Sequence, residues 1–131
     1  MSQLYVVDTH ALFWYLTASP QLGSQALQAF QAAEQGHAKI IVPTIVLAEL
    51  YFLNEKLGQP LNFIEEYRKM LASGLFEFSP LDEALILLFP YLPGIHEMHD
   101  RIVAAVALRF QAPLLTRDAE IRRSGIIAVQ W

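Results

Sequence analysis

Leu4-Tyr5-Val6-Val7-Asp8-Thr9-His10-Ala11-Leu12-Phe13-Trp14-Tyr15-Leu16 is the stretch from which the fold is read. Leu4 to Val7 is an apolar run without alternation, the pattern of a buried strand. Ala11 to Leu16 reads as a short helix, with Asp8 or Thr9 as its cap and Pro20 beyond its end. The chain therefore opens as a β–α unit, and a carboxylate stands directly after the strand.

The same alternation continues outward from this unit. Ser24 to Gln35 is an amphipathic helix stopped at Gly36, and Lys39 to Val42 is a second strand. Pro43 starts a helix that runs to Leu57 and ends at Gly58. Leu61 to Ala72 is a further helix, with Phe63, Ile64, Tyr67 and Leu71 expected inward. Leu75 to Phe78 is a third strand, Asp82 to Phe89 a helix, and Pro90 to His99 a loop. A helix from His99 or Asp100 to Phe110 leads into a strand at Pro113 to Leu115. A helical turn over Asp118 to Arg123 and a strand over Ile126 to Val129 close the chain. Five β runs separated by helices imply an α/β fold, a mostly parallel sheet with helices on both faces.

The 131 residues suit a single domain, and the apolar fraction of 54% lies above the usual 45–50% or so. A full core is affordable, with apolar surface left for a partner. Net charge is −4, which argues against binding nucleic acid by bulk electrostatics but not against meeting it through metal ions and a few arginines. There is no cysteine, so neither a disulfide framework nor thiolate chemistry is expected, and the cytoplasm is the expected compartment. The longest apolar stretch, Ile40 to Leu53, is broken by Pro43, Thr44 and Glu49, so no membrane span or signal peptide is expected.

Four acids stand where a core normally avoids charge: Asp8, Glu49, Asp100 and Asp118. Glu49 has apolar neighbours at i−4, i−3, i+3 and i+4, namely Ile45, Val46, Phe52 and Leu53. A carboxylate in such surroundings costs several kcal/mol unless compensated. Only nine Lys and Arg exist to compensate them. Asp8 and Asp118 follow strands, Asp100 begins the helix that feeds the fourth strand, and Glu49 lies about one and a half turns into the helix after the second. All four can meet where open parallel sheets build their sites, at the carboxyl ends of strands beside a switch in strand order. Oxygen-only ligands suit Mg²⁺ or Mn²⁺, which assist phosphodiester hydrolysis. Each acid also has a plainer explanation. Asp8, Asp100 and Asp118 are candidate helix caps, and Glu49 could form a buried ion pair with Arg101 or Arg117.

Other signals carry less. His96-Glu97-Met98-His99 spaces its histidines by three where the helical zinc-protease motif needs four. Phe13, Trp14 and Tyr15 are expected in core or dimer packing rather than stacked on bases. No glycine-rich phosphate loop is present.

Val6-Val7-Asp8-Thr9-His10, Ala48-Glu49-Leu50, His99-Asp100-Arg101-Ile102-Val103-Ala104-Ala105-Val106-Ala107 and Leu114-Leu115-Thr116-Arg117-Asp118 together resemble the PIN domain. The likeness is nearest to the VapC-type toxin ribonucleases of prokaryotic toxin–antitoxin pairs, and it spans essentially the whole chain. It implies a three-layer α/β/α sandwich on a mainly parallel sheet of four or five strands. It implies an endoribonuclease dependent on Mg²⁺ or Mn²⁺, with Asp8, Glu49, Asp100 and Asp118 as the acidic quartet. In that scheme Asp8 and Asp100 are the principal metal ligands, and Asp118 helps directly or through water. Glu49 positions or deprotonates the attacking water, and Thr9 and Thr116 support the site. Arg117, with Arg101, Arg122 and Arg123, would supply cations for RNA. The resemblance further implies a homodimer and a cognate antitoxin that covers the site. A housekeeping RNA-processing nuclease, or a binding module with little chemistry, are the alternatives.

Overall fold

The computed structural model describes residues 2–131. Its elements follow the chain as β1 (Gln3–Val7), α1 (Thr9–Leu16), α2 (Ser24–Glu34), β2 (Ala38–Pro43), α3 (Thr44–Lys56), α4 (Phe63–Ser73), β3 (Phe76–Ser79), α5 (Glu83–Ile86), a 3-10 turn (Phe89–Tyr91), α6 (Met98–Phe110), β4 (Leu114–Leu115), α7 (Ala119–Ser124) and β5 (Val129–Gln130). The strands form one sheet in the order β3-β2-β1-β4-β5, and every pairing is parallel. The fold is the expected α/β sandwich. β1 is central, and the chain leaves it towards β2 and β3 on one side and returns to β4 and β5 on the other. The switch in strand order therefore falls between β1 and β4, immediately before Asp8 and Thr116.

The central strands are apolar because they are covered on both faces. Val6 and Val7 of β1 and Ile40, Ile41 and Val42 of β2 are fully buried. Helix α6 lies against β1, and its run from Ile102 to Ala107 is buried throughout. Three alanines in that run keep the helix close to the sheet and so fix the depth at which Asp100, one turn earlier, arrives. Helix α3 packs against both α1 and α6, which brings Glu49 to the same corner. No helix among the described residues is long and apolar enough to cross a membrane.

Three elements differ from the sequence expectation. On α4 only Met70 is fully buried, while Ile64 and Leu71 are 54% and 55% exposed. The inward stripe is Phe63, Tyr67 and Met70, at i, i+4 and i+7, and Ile64 and Leu71 fall on its flank. Helix α5 ends at Ile86 rather than Phe89, and a 3-10 turn follows. Pro90 has no N–H and disfavours α conformation in the residue before it. The last strand is Val129–Gln130 rather than Ile126 to Val129, because β4 offers only Leu114 and Leu115 for pairing.

The chain's last residue caps a helix. Gly23, at the N-cap of α2, supplies no side-chain acceptor, and the Trp131 carbonyl accepts instead from the N–H groups of Gln25 (2.9 Å) and Ala26 (3.2 Å). A Cβ on Gly23 would stand 2.0 Å from the Trp131 oxygen. Gly23→Ala must displace this backbone cap. A stability loss of about 2 kcal/mol is expected, from overpacking and partial loss of the cap, read as a lower denaturation midpoint at unchanged m-value.

Candidate active site

Asp8, Thr9, Glu49, Asp100, Thr116, Arg117 and Asp118 all line one cleft of about 550 Å³, with His10, Leu53 and Val103. The sheet and three helices deliver them there. Asp8 leaves β1 in extended conformation and caps α1, its Oδ1 accepting from Ala11 N at 3.0 Å. Asp118 does the same for α7, accepting from Ile121 N at 2.9 Å. Both are helix caps, as the plainer explanation held, and both also face the cleft. The cap contact holds each carboxylate in place.

Asp100 is not a cap. Glu97 takes that position on α6, its Oε2 accepting from Asp100 N at 2.8 Å and its Oε1 meeting His99 Nδ1 at 2.6 Å. The Asp100 side chain makes no hydrogen bond or ion pair among the described residues. Glu49 accepts from the Thr9 hydroxyl at 2.9 Å and forms no ion pair among them either. Its two candidate partners are engaged elsewhere: Arg101 Nε donates to Ile95 O at 2.6 Å, and Arg117 lies over the Trp14 ring. Glu49 is half-buried rather than enclosed, since Phe52 on the next turn of α3 is 70% exposed. Thr116, fully buried, accepts from Asp118 N at 3.1 Å and lines the cleft beside Asp8.

The acids repel one another. Burial and then the charges of Asp118, Glu97, Glu49 and Asp8 push the Asp100 carboxyl up to about 6. Burial also pushes Asp8 above the ordinary carboxylate range, against hydrogen bonds from Thr116 and Ala11. His99 is raised, first by its hydrogen bond to Glu97 and also by the charge of Glu49. Such a set lacks a cation. Arg117 is the one arginine or lysine among the residues lining the cleft, and it is not paired with any of them. Arg122 and Arg123 are exposed on α7, outside the lining, and Arg101 is tied to a backbone carbonyl.

The donor set fits a hard divalent ion: oxygen ligands only, negative, mutually repelling and open to solvent. Among the described residues no three His, Asp or Glu side chains close around one point as a ready-made metal shell. Mg²⁺ does not need one, since it keeps several waters and takes one or two carboxylates.

Sequence reasoning missed two features. Glu97 belongs to the electrostatics of the cleft, and glutamate is not among the preferred capping residues that would have marked it. Trp14 was expected in the core and is buried, yet one face carries Arg117. Its i, i+4 relation to His10 on α1 was the available signal.

A PIN domain family model matches residues 5–126. Among solved structures, VapBC2 from Rickettsia felis bound to a DNA fragment from their promoter is 17% identical at a TM-score of 0.73, over 98% of this chain and 99% of that one. FitAcB from Neisseria gonorrhoeae is 19% identical at 0.69, over 95% of each chain. DNA-bound VapBC from Salmonella typhimurium is 14% identical at 0.72, over 99% and 98%. At these identities the likeness is one of fold. No curated protein sequence matches the chain.

Proposed function

The chain belongs to the PIN domain family, whose members are generally nucleases that use divalent metal ions, and from this we propose that it is an Mg²⁺- or Mn²⁺-dependent endoribonuclease, the toxin of a toxin–antitoxin pair. The observation that carries the reading is the convergence of Asp8, Glu49, Asp100 and Asp118 on one cleft at the switch between β1 and β4.

Each residue then has a task. Asp8 and Asp100 would hold the ion, with Asp118 helping directly or through water, and when bound it would supply positive charge to the phosphate and the attacking water. The Thr9 hydroxyl fixes one oxygen of Glu49, which leaves the other free to orient the water and accept its proton. The water oxygen bonds to phosphorus as the phosphorus–oxygen bond to the leaving ribose breaks. Thr116 steadies the backbone at Asp118 through its hydroxyl, beside Asp8. Arg117 meets the RNA backbone at the mouth of the cleft.

The partners are a cognate antitoxin and a second copy of the chain. Supporting this, Phe52, Leu87 and Tyr91 are 70%, 73% and 68% exposed, large apolar side chains available for a partner to cover. Light scattering should give twice the 14.8 kDa chain mass, and expression with the neighbouring reading frame should co-purify a small protein. A strict monomer with no such partner would count against the assembly.

The direct test is incubation with single-stranded RNA and with DNA of matched sequence. Mg²⁺ or Mn²⁺ should permit internal cleavage of the RNA, and EDTA should stop it. Intact RNA in both metals would refute the reading.

A further inference from the structure

Arg117 is exposed and stands among carboxylates, yet its guanidinium carbon lies 4.5 Å from the centroid of the Trp14 ring and in no salt bridge among the described residues. Trp14 is itself held on two sides. His10 is tilted against it at 5.2 Å, and Trp131 meets it edge-on at 5.7 Å. The indole is 6% exposed, so its plane is fixed by packing. A guanidinium over a fixed indole face is held through its charge, which leaves N–H donors for other acceptors. Collapse of Arg117 onto Asp118 or Asp8 would use those donors and neutralise the acids.

We infer that Trp14 is a positioning residue for nucleic-acid binding: its indole holds the Arg117 guanidinium off the carboxylates and at the mouth of the cleft, where it takes a backbone phosphate beside the scissile one. The inference rests on the nuclease reading of the cleft and adds to it the element that lets an acidic site accept a polyanion. Trp14 touches no substrate and acts through Arg117.

The test is a double-mutant cycle on a fluorescein-labelled single-stranded RNA in Mg²⁺, using wild type, Trp14→Leu, Arg117→Ala, the pair together and Trp14→Phe. All are assayed at a temperature where circular dichroism shows each folded. Arg117→Ala should raise KM about tenfold with kcat within about twofold, the pattern of lost uniform binding. It should also flatten the dependence of log affinity on log salt by about 0.7, one phosphate contact on a single strand. Trp14→Leu should reproduce most of both changes and add nothing in the Arg117→Ala background, and Trp14→Phe should restore them in large part. An effect of Trp14→Leu that persists without Arg117, that falls on kcat alone, or that leaves the salt slope unchanged would overturn the inference. Should wild type bind the RNA without cutting it, the nuclease reading fails, and the same cycle read as Kd by fluorescence anisotropy still decides the role of Trp14. Absence of binding by wild type overturns both.

Discussion

Glu49→Gln should cut the rate of RNA cleavage by about 10²–10⁴-fold, the usual loss on removing a positioned general base, while the protein folds and melts as before. Gln retains an oxygen to accept the Thr9 hydroxyl, now 2.9 Å from Glu49 Oε1, so the side chain's position should survive the loss of charge. The competing account makes Glu49 one half of a structural ion pair. Arg101 is hydrogen-bonded to the Ile95 carbonyl and Arg117 rests on Trp14, which leaves that pair without its second half. A charge in this position, without a cation, adds repulsion to the fold, and removing it should not cost stability. Single-turnover cleavage at saturating Mg²⁺ separates chemistry from binding. Expression of wild type alone should arrest growth, and expression of Glu49→Gln should not. Equal single-turnover rates for the two proteins would return Glu49 to a structural role.

What the sequence made legible follows from which signals are local. Leu4 to Val7 and Ile40 to Val42 are unbroken apolar runs because parallel strands are buried on both faces, and both formed as expected. Asp8 and Asp118 were placed at strand ends by adjacency alone, and so landed in the cleft. Burial of α3 and α4 was less legible, because it depends on what covers them. Phe52 reads as a core residue beside Glu49 and is 70% exposed. Glu49 is consequently half-buried in the lining of the cleft rather than inside an apolar face. The start of α6 offered Glu97, His99 and Asp100 within one turn. Cap preference points to Asp100, whereas Glu97 takes the cap and releases Asp100 to the cleft. That exchange is a tertiary matter, since Asp100 is then held among charges contributed by α1, α3 and α7.

Those charges make the second large effect. Mg²⁺ or Mn²⁺ should raise the thermal midpoint of wild type, and Asp8→Asn with Asp100→Asn should remove most of the rise. An ion bound only by the folded state stabilises by about 2.7 kcal/mol at a hundredfold excess over its Kd. For a chain of this length that is a rise of about 10 °C. Asparagine remains a good N-cap, so Asp8→Asn keeps the contact with Ala11 N that starts α1. Without metal the sign reverses. Asp100 titrates in the fold at about 6, against the 3.8 of the free side chain. A raised carboxyl favours the protonated fold, so its penalty is absent below about 4, grows between about 4 and 6, and is complete above. Solvent screens a half-exposed carboxyl, and relief by Asp100→Asn should be worth about 1 kcal/mol at most. Metal-free Asp100→Asn should therefore melt no lower than wild type at pH 7 to 8, with the two curves converging as pH falls towards 4. Thermal scans across pH, with and without the ion, read both signs at once. A double variant that keeps the full metal-dependent rise would place the ion away from Asp8 and Asp100, and a metal-free Asp100→Asn that melts well below wild type would make that carboxylate a structural partner rather than a ligand in waiting.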